Sequence, residues 1–537
     1  MGLVTKIVAG LLQPSWFNFS FLISIFLVYK EIQFYIKKVK VPIVGIPFPG
    51  YIGSWFGGIW FVRYGHDVIR AAYDSGKYTV FQVPMLERML VIVTTKELME
   101  ELSYADPSEL SFYKNIETDF QVQYTMSREV HTHTWHVPYI HDRLTKKLNK
   151  SLDVMQSEMF NAVGVFLGNS KGHTVKVNAM ETFLDILTRL SNRYFVGKPL
   201  CRNVEYIHTA KEYAKDVAIC GIIIRLWPDW LKPFVARLCS RIPKNQVAAM
   251  KYLGPMIEQR RDKMELLGKK WQDCPDDYLQ WIMDGAVENF GTCADTRDIM
   301  LRLMFLNFAG NHTSAEAFCM VLYQLVNRPE YIKTLRDEAV EMIGKHGYTA
   351  QAFNMMSKID SFTRECSRFV SLGPIIITRT AQISYTLGDG TLLPVGTQVC
   401  MPHHSVHNNP GIPLYADPSF DGLRFHNIRE AILKENPENK QAHRTELWTA
   451  TSTQQLFFGN GRHPCPGRFF ASTQSKMLLH YLLTNYEMAV DSESQYQPHT
   501  WQTMYIPNVF ANINFTRLTD PEPGVKEEIA FDLAPTS

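Results

Sequence analysis

The sequence predicts a mainly α-helical chain with small β-sheets, and three observations carry that expectation. Apolar residues recur with the helical period over long stretches, from about Leu144 to Leu167, Ala179 to Phe195, Gln246 to Leu267, Arg297 to Asn327 and Tyr331 to His346. Two short β-like runs, Phe81 to Val83 and Met89 to Val93, flank Pro84, and Gly388-Asp-Gly390 between Tyr385-Thr-Leu and Leu392-Leu is a hairpin turn signal. The chain has 537 residues, 46% hydrophobic and 12% aromatic, without internal repeats or low-complexity runs, so it can enclose a large apolar interior in one domain. Its 55 basic and 53 acidic residues nearly cancel, which argues against the basic footprint of a nucleic-acid-binding protein.

The N-terminal element comes first. From Ile7 to Tyr29 there is no charged residue, a stretch long enough to span a bilayer. Pro14 interrupts it and leaves Ser15 to Tyr29 as a shorter apolar core, so a cleaved signal peptide is the competing reading. Against cleavage, no small-residue cleavage site follows, while Lys30, Lys37, Lys38 and Lys40 do; only Lys6 precedes the stretch. That lysine excess places the following domain in the cytosol. Residues 1–40 are therefore expected to be a transmembrane anchor with a basic flank. Residues 41–50, with three prolines and two glycines, are expected to be a stiff hinge, and 51–537 a single catalytic domain. On the cytosolic side the sequons at Asn149, Asn311 and Asn514 would stay unglycosylated.

A helix is expected to start near Thr95 and run to about Tyr104. The pattern from about Arg297 to Asn327 ends before Pro329, as a helix should, and contains Ala309-Gly310-Asn311-His312-Thr313-Ser314. Glycine beside hydroxyl residues loosens a helix, because a hydroxyl or a water can enter its hydrogen-bond ladder. Further on, Glu365-Cys-Ser-Arg368 places a carboxylate and a guanidinium on one helix face, where they can pair in bidentate fashion. Phe420-Asp-Gly-Leu-Arg424-Phe425 follows. The most specific segment is Phe458-Gly-Asn-Gly461-Arg-His463-Pro-Cys465-Pro-Gly467-Arg-Phe-Phe-Ala471. Here one cysteine stands between two φ-restricting prolines in a glycine-bearing loop, which lets backbone N–H groups converge on the sulfur and the backbone approach a flat macrocycle. Such a loop suits a thiolate bound to haem iron. None of the other eight cysteines has a comparable surrounding, and their spacing suggests neither zinc nor a disulfide framework.

The loop resembles the haem signature of the cytochrome P450 family, Phe-x-x-Gly-x-Arg-x-Cys-x-Gly, with His463 where arginine is usual. By this resemblance the fold is that of a P450, Cys465 ligates the iron of haem b, and Phe458, Gly461, His463 and Gly467 contact the cofactor. Ala309-Gly310 with His312-Thr313 is similar to the family's oxygen-binding stretch. Thr313 is then implied in oxygen activation and proton transfer, with His312 in the place of the usual acid. Histidine there is either a proton shuttle or a hydrogen-bonded core residue. Glu365 and Arg368 match Glu-x-x-Arg, and Arg424 matches the arginine that joins them; these three are implied in haem retention. Arg379, in Ile377-Thr-Arg379-Thr-Ala381, aligns with an arginine that binds a haem propionate. The family's Trp-x-x-x-Arg is expected at Trp135, but position 139 is tyrosine, leaving His136, His141 or Arg143 as candidates. The cluster His131, His133 and His136 has a spacing that suits metal binding poorly on either a helix or a strand.

The resemblance implies a monooxygenase that uses O2 and electrons from an NADPH-cytochrome P450 reductase, of the fungal biosynthetic type anchored on the endoplasmic reticulum. The expected substrate walls are about Tyr104 to Thr134, Ile222 to Trp230, Phe305, Ala309 and Leu372 to Ile377. They are largely apolar and suit a terpenoid or another hydrocarbon skeleton. Two alternatives stay open: a rearrangement enzyme or isomerase of the same fold that needs no external electrons, and a haem-binding protein without turnover.

Overall fold

A computed structural model of the chain describes residues 16–439, 446–490 and 498–519, so the first half of the expected membrane span lies outside it. Helix α1 covers Trp16–Lys37 and α2 covers Tyr51–Asp74, followed by β1 (Val80–Pro84), β2 (Met89–Val93) and α3 (Lys96–Tyr104). Thr95 caps α3 as its spacing predicts, accepting a hydrogen bond from the Leu98 N–H. Next come β3 (Leu110–Ser111), α4 (Phe112–Phe120), α5 (Leu152–Leu167), β4 (Thr174–Asn178), α6 (Ala179–Phe195), α7 (Val204–Arg225), α8 (Lys232–Cys239) and α9 (Ile242–Leu267). The long α10 (Thr296–Val326) leads to α11 (Glu330–His346) and α12 (Ser357–Phe369), then β5 (Ile376–Ala381), β6 (Tyr385–Thr386), β7 (Leu392–Leu393) and β8 (Gln398–Met401). The C-terminal third holds α13 (Arg468–Asn485), β9 (Tyr486–Val490), β10 (His499–Trp501), β11 (Met504–Ile506) and β12 (Asn512–Arg517).

Sheets are small and lie to the side of the helices. The largest orders its strands β1-β2-β8-β5-β3, while β4-β12-β9, β10-β11 and β6-β7 form the rest. The hairpin at Gly388-Asp-Gly390 is present, with Tyr385 opposite Leu393. Between Ile376 and Arg379 the register with β8 slips, and Ile377 takes a φ of +55°. A β-branched residue there is strained, and such a bulge re-aims the side chains after it.

The main core gathers around α10. Ile299, Leu303, Phe318, Leu322 and Leu325 of α10 pack with Phe183, Ile186 and Leu190 of α6, Tyr213 and Val217 of α7, Leu253 and Ile257 of α9, and Met477 and Leu482 of α13. A 31-residue helix buried on most sides can therefore span the body without an amphipathic stripe.

One local expectation is corrected. The pattern from Leu144 to Leu167 is broken: Ile140–Leu144 is a π-turn, and α5 begins only after Ser151, whose hydroxyl donates to the Lys147 carbonyl at 3.3 Å. That side chain satisfies backbone that a continuous helix would have used. Residues 41–50 are held at both ends by hydrogen bonds. The Gln82 N–H donates to the Pro42 carbonyl, the Val44 N–H to the Gln82 carbonyl, both at 2.9 Å, and Glu31 Oε2 accepts from the Tyr51 N–H at 2.8 Å. The prolines fit this edge position because they have no N–H to leave unpaired.

Candidate active site

Glycine shapes the loop that carries Cys465. Gly459 and Gly461 have φ values of +75° and +76°, in the left-handed region. The loop closes through the Cys465 N–H, which donates to the Phe458 carbonyl at 2.7 Å, and Arg468 Nη1 donates back to the Cys465 carbonyl at 2.9 Å. A Cβ on Gly461 would lie 2.0 Å from the Ser103 carbonyl oxygen, so what this glycine approaches closely is the end of α3. There the Arg462 N–H donates to Ser103 O at 3.0 Å and Arg462 Nε to Tyr104 O at 2.8 Å. Gly467 behaves differently: nothing lies within 4 Å of a Cβ built on it.

Cys465 is enclosed by protein yet keeps exposed surface, so its sulfur faces an internal space. Burial raises its thiol pKa, while the N–H groups of Gly467 and Arg468 and the Arg468 charge favour the thiolate. Phe458 packs with Phe457, Trp448 and Ala317, and Leu372 leans on the same cluster. Ala317 belongs to α10, one turn past Thr313, which brings the cysteine loop and the long helix together.

At this junction α10 changes character. Ala309 and Thr313 are exposed in the middle of a helix whose flanking turns are buried, and Phe305, Phe308, His312 and Glu316 are partly accessible. The Thr313 hydroxyl donates to the Ala309 carbonyl at 2.8 Å. A Cβ on Gly310 would meet only Phe195, at 4.0 Å. Asn311 points the other way, into a buried amide ladder. Asn311 Nδ2 and Asn192 Nδ2 both donate to Asn307 Oδ1, at 3.0 and 2.8 Å, and the Tyr206 hydroxyl donates to Asn192 Oδ1 at 3.0 Å. His312 Nδ1 is buried without a partner, and burial, followed by the charge of Lys211, lowers the ring pKa to about 4.

The Glu365 carboxylate receives Arg368 Nη2 at 2.7 Å and Arg368 Nε at 2.8 Å, with both side chains fully buried. Arg424 Nε adds a bond at 3.2 Å and the Asp421 N–H another at 3.0 Å. Arg368 also donates to the carbonyls of Ser419 and His407 and to Asn408 Oδ1. His407 Nε2 in turn accepts from the Leu456 N–H at 2.9 Å, so this cluster reaches the base of the cysteine loop. Trp448 makes a second link, donating to Ser367 Oγ on α12 while stacking near Phe458.

A family model described as cytochrome P450 matches residues 49–509. The chain belongs to the cytochrome P450 family. It is similar to cytochrome P450 monooxygenase 151 of Postia placenta, 31% identical over 94% of this chain and 99% of that one. It is also similar to ent-kaurene oxidase P450-4 of Gibberella fujikuroi, 30% identical over 84% of this chain and 87% of the relative. Cytochrome P450 monooxygenase penP of Penicillium crustosum is 31% identical over 91% of this chain and 92% of its own length. The protein is thus an oxidoreductase of the P450 monooxygenase family, whose cofactor is haem b on a cysteine thiolate.

Haem b requires an interior thiol, room beside it and donors for two propionate carboxylates. This P450 has residues that fit each requirement. Beyond Cys465 and the open side of Gly467, Arg379 Nη2 and His463 Nε2 are buried without partners. Both side chains flank one ring: the Arg379 guanidinium lies 5.5 Å from the Phe112 centroid, and His463 stacks on Phe112 at 5.5 Å. Burial lowers the Arg379 pKa to about 10 and also lowers that of His463, on which the Arg379 charge acts next. A buried guanidinium and a buried ring nitrogen with nothing to bind are costly unless a partner completes them.

The three candidates near Trp135 separate. His141 is exposed beside Asp142, and Arg143 binds Glu288 at 3.1 Å and stacks on Tyr139. His136 is buried against Phe305, its Nδ1 bonded to Arg302 Nη1 at 2.8 Å and its Nε2 unpartnered. Burial and the Arg302 charge hold its pKa down to about 3. Arg302 of α10 lies over the Trp135 ring at 4.4 Å. His131 turns elsewhere, onto the Tyr113 carbonyl at 2.7 Å.

Of the expected substrate walls, Phe120 meets Phe308 edge-on at 5.1 Å, and Gly221 of α7 lets that helix approach the Phe120 backbone closely. Sequence reasoning missed Arg302 and Glu316. A charged residue within a long apolar helix was the available signal for each.

Proposed function

We propose that this P450 hydroxylates, or oxidises in successive steps, a terpenoid or similar hydrocarbon, drawing electrons from NADPH through a cytochrome P450 reductase at the endoplasmic reticulum membrane. The observation that carries this reading is the placement of Cys465. Its sulfur faces an internal space, two backbone N–H groups aim at it, and an apolar stretch of α10 interrupted by Thr313 adjoins its loop. In this reading Cys465 is the axial ligand, Phe458, Gly461 and Gly467 shape its loop, and Arg379 and His463 bind the propionates. Ala309 and Gly310 leave room on the opposite side, and Glu365, Arg368 and Arg424 hold the loop's support in place. The bound haem supplies the reduction of O2 and the breaking of its O–O bond. The chain's own residues exclude water with Phe305 and Phe308, position the hydrocarbon against Ala309, and hold protons near Thr313.

Terpenoid chemistry is favoured by the apolar walls and by the similarity to an ent-kaurene oxidase. Membrane attachment is favoured by surface apolar residues. No helix among the described residues is long and apolar enough to cross a membrane. However, α1 exposes Phe21, Ile25, Val28 and Ile32, α2 exposes Trp55, Phe56 and Trp60, and Trp227 and Trp230 stand exposed between α7 and α8. In this reading residues 1–40 are the anchor, 41–50 the braced connection and 51–537 the catalytic domain.

The test is made on microsomes holding the full chain and a reductase. The reduced carbon-monoxide complex of the wild type is expected to show the thiolate-type Soret band, and Cys465→Ala to lose it together with all product. A normal band in Cys465→Ala removes the assignment. Oxidation of ent-kaurene and other diterpene hydrocarbons is expected to require both NADPH and reductase. Product formed without either one supports the rearrangement alternative instead.

A further inference from the structure

Glu316 is a carboxyl group for which the architecture offers no structural use. It follows Thr313 by three residues and His312 by four, so it sits on the face of α10 that Ala309 and Thr313 open. The other residues at this helical spacing, Phe305, Ala309, Ala317 and Met320, are apolar. Among the described residues no hydrogen bond or ion pair to its carboxyl is recorded, and burial alone raises its pKa to about 7. No charged group on any packed element contributes to that shift, and the titratable group that feels the Glu316 charge is Cys319 of the same helix. A buried acid without a partner weakens a fold, and it holds its proton near neutral pH.

The neighbouring groups lack what this one has. The proton of the Thr313 hydroxyl is engaged with the Ala309 carbonyl, so its oxygen offers the open side only lone pairs. The His312 ring is neutral at physiological pH and carries no extra proton. We propose that Glu316 is the acid that supplies protons through Thr313 to the oxygen being reduced. This rests on the monooxygenase reading and adds the proton source to it. Each turnover joins R–H, O2, two electrons from NADPH and two protons into R–OH and water. For each proton, the Glu316 O–H bond breaks as the Thr313 oxygen accepts, directly or through one water. The threonine hydroxyl releases Ala309 and passes its own proton on, and the carboxylate regains one from solvent.

The experiment compares wild type, Glu316→Gln and Glu316→Asp as full-length holoenzymes with reductase, NADPH and the hydrocarbon that the wild type oxidises. An unchanged reduced carbon-monoxide band in all three establishes that fold and haem are intact. The infrared spectrum of the wild type at neutral pH is expected to show the C=O stretch of a protonated carboxylic acid, shifted in D2O and missing from Glu316→Gln. Product per NADPH is expected to fall at least about tenfold in Glu316→Gln, within the range for one positioned acid, with the electrons appearing as hydrogen peroxide. Glu316→Asp, which keeps an acid on the same face, is expected to restore part of the coupling. Wild-type coupling in Glu316→Gln, or an acid band of unchanged intensity after that substitution, overturns the proposal. A wild type that consumes no NADPH with reductase removes the monooxygenase reading instead.

Discussion

The cluster around Glu365 and the site around Cys465 are both buried and polar, and they treat their hydrogen bonds in opposite ways. Glu365 is met by Arg368, Arg424 and a backbone N–H, and Arg368 also reaches four further acceptors. Across the molecule's centre, Arg379 Nη2, His463 Nε2, His136 Nε2 and His312 Nδ1 have no partner, and Glu316 has no recorded bond. A carboxylate and guanidinium with their bonds made hold a shape, whereas unpaired donors beside an open space are available to bind. In the proposed reading the difference separates residues that keep the loop in place from residues that serve the chemistry, although both sets are rich in arginine and histidine.

Breaking the saturated cluster should have the largest effect. Glu365→Ala leaves two buried guanidinium groups uncompensated, a loss of about 3–5 kcal/mol. The expected outcome is protein without haem and with a lower thermal midpoint, read from the Soret absorbance per protein and from circular dichroism. A variant that retains haem and midpoint would show that the two clusters are not distinct in kind.

On the unsaturated side the fold should survive while chemistry suffers. Thr313→Ala is expected to keep the thiolate-type spectrum and substrate binding, yet to slow proton-dependent product formation by about 10²–10⁴-fold, less whatever water restores. The measurement is product against NADPH consumed. His312→Ala sharpens the point. Uncoupling there, partly reversed in His312→Asp, marks the ring as a relay, whereas wild-type coupling assigns it to packing.

A smaller effect is expected at the propionate end. Arg379→Ala removes one charge-assisted bond, worth about 1.5–3 kcal/mol, so haem transfer to apomyoglobin should accelerate about 10- to 100-fold. Unchanged transfer would move the propionate elsewhere.

Acid titration should act on the whole molecule and not on one cluster. Burial first of all lowers the pKa of His136, His403 and His404 to about 3 and those of His312 and His480 to about 4. In the unfolded chain histidine titrates near 6.5, so between about pH 6.5 and pH 4 the unfolded state binds more protons. Stability is then full above that window and lost as pH falls through it. A thermal midpoint that stays level from pH 7 to pH 4 would contradict the burial of these rings.

Legibility in the sequence followed the range of the interactions. The Glu365–Arg368 spacing and the proline-flanked Cys465 are local, and both could be read directly. Helix α10 was placed to within a residue at each end, because its period and Pro329 are local too. Arg424 lies 59 positions from Glu365, so only resemblance to a known family connected them. Arg302 reaching Trp135 and the 41–50 segment lying along β1 are tertiary events that no spacing announces. The long α7 went unread although Asn203 caps it, since its apolar residues face several neighbours and show no single stripe. Glu316 was passed over because a sequence does not say which turn of a buried helix fronts an open space.

The contact of Gly461 with Ser103 also bears on the order of assembly. Arg462 and Tyr104 are 358 positions apart in the chain, yet their bond helps seat the cysteine loop. Pairings between such distant segments close slowly, because much chain entropy is lost before they form. The helices around α10 can condense through nearer neighbours, while the loop must wait for α3 and its sheet. The nascent protein is therefore expected to seat its Cys465 loop late in folding, after the helices around α10 have condensed.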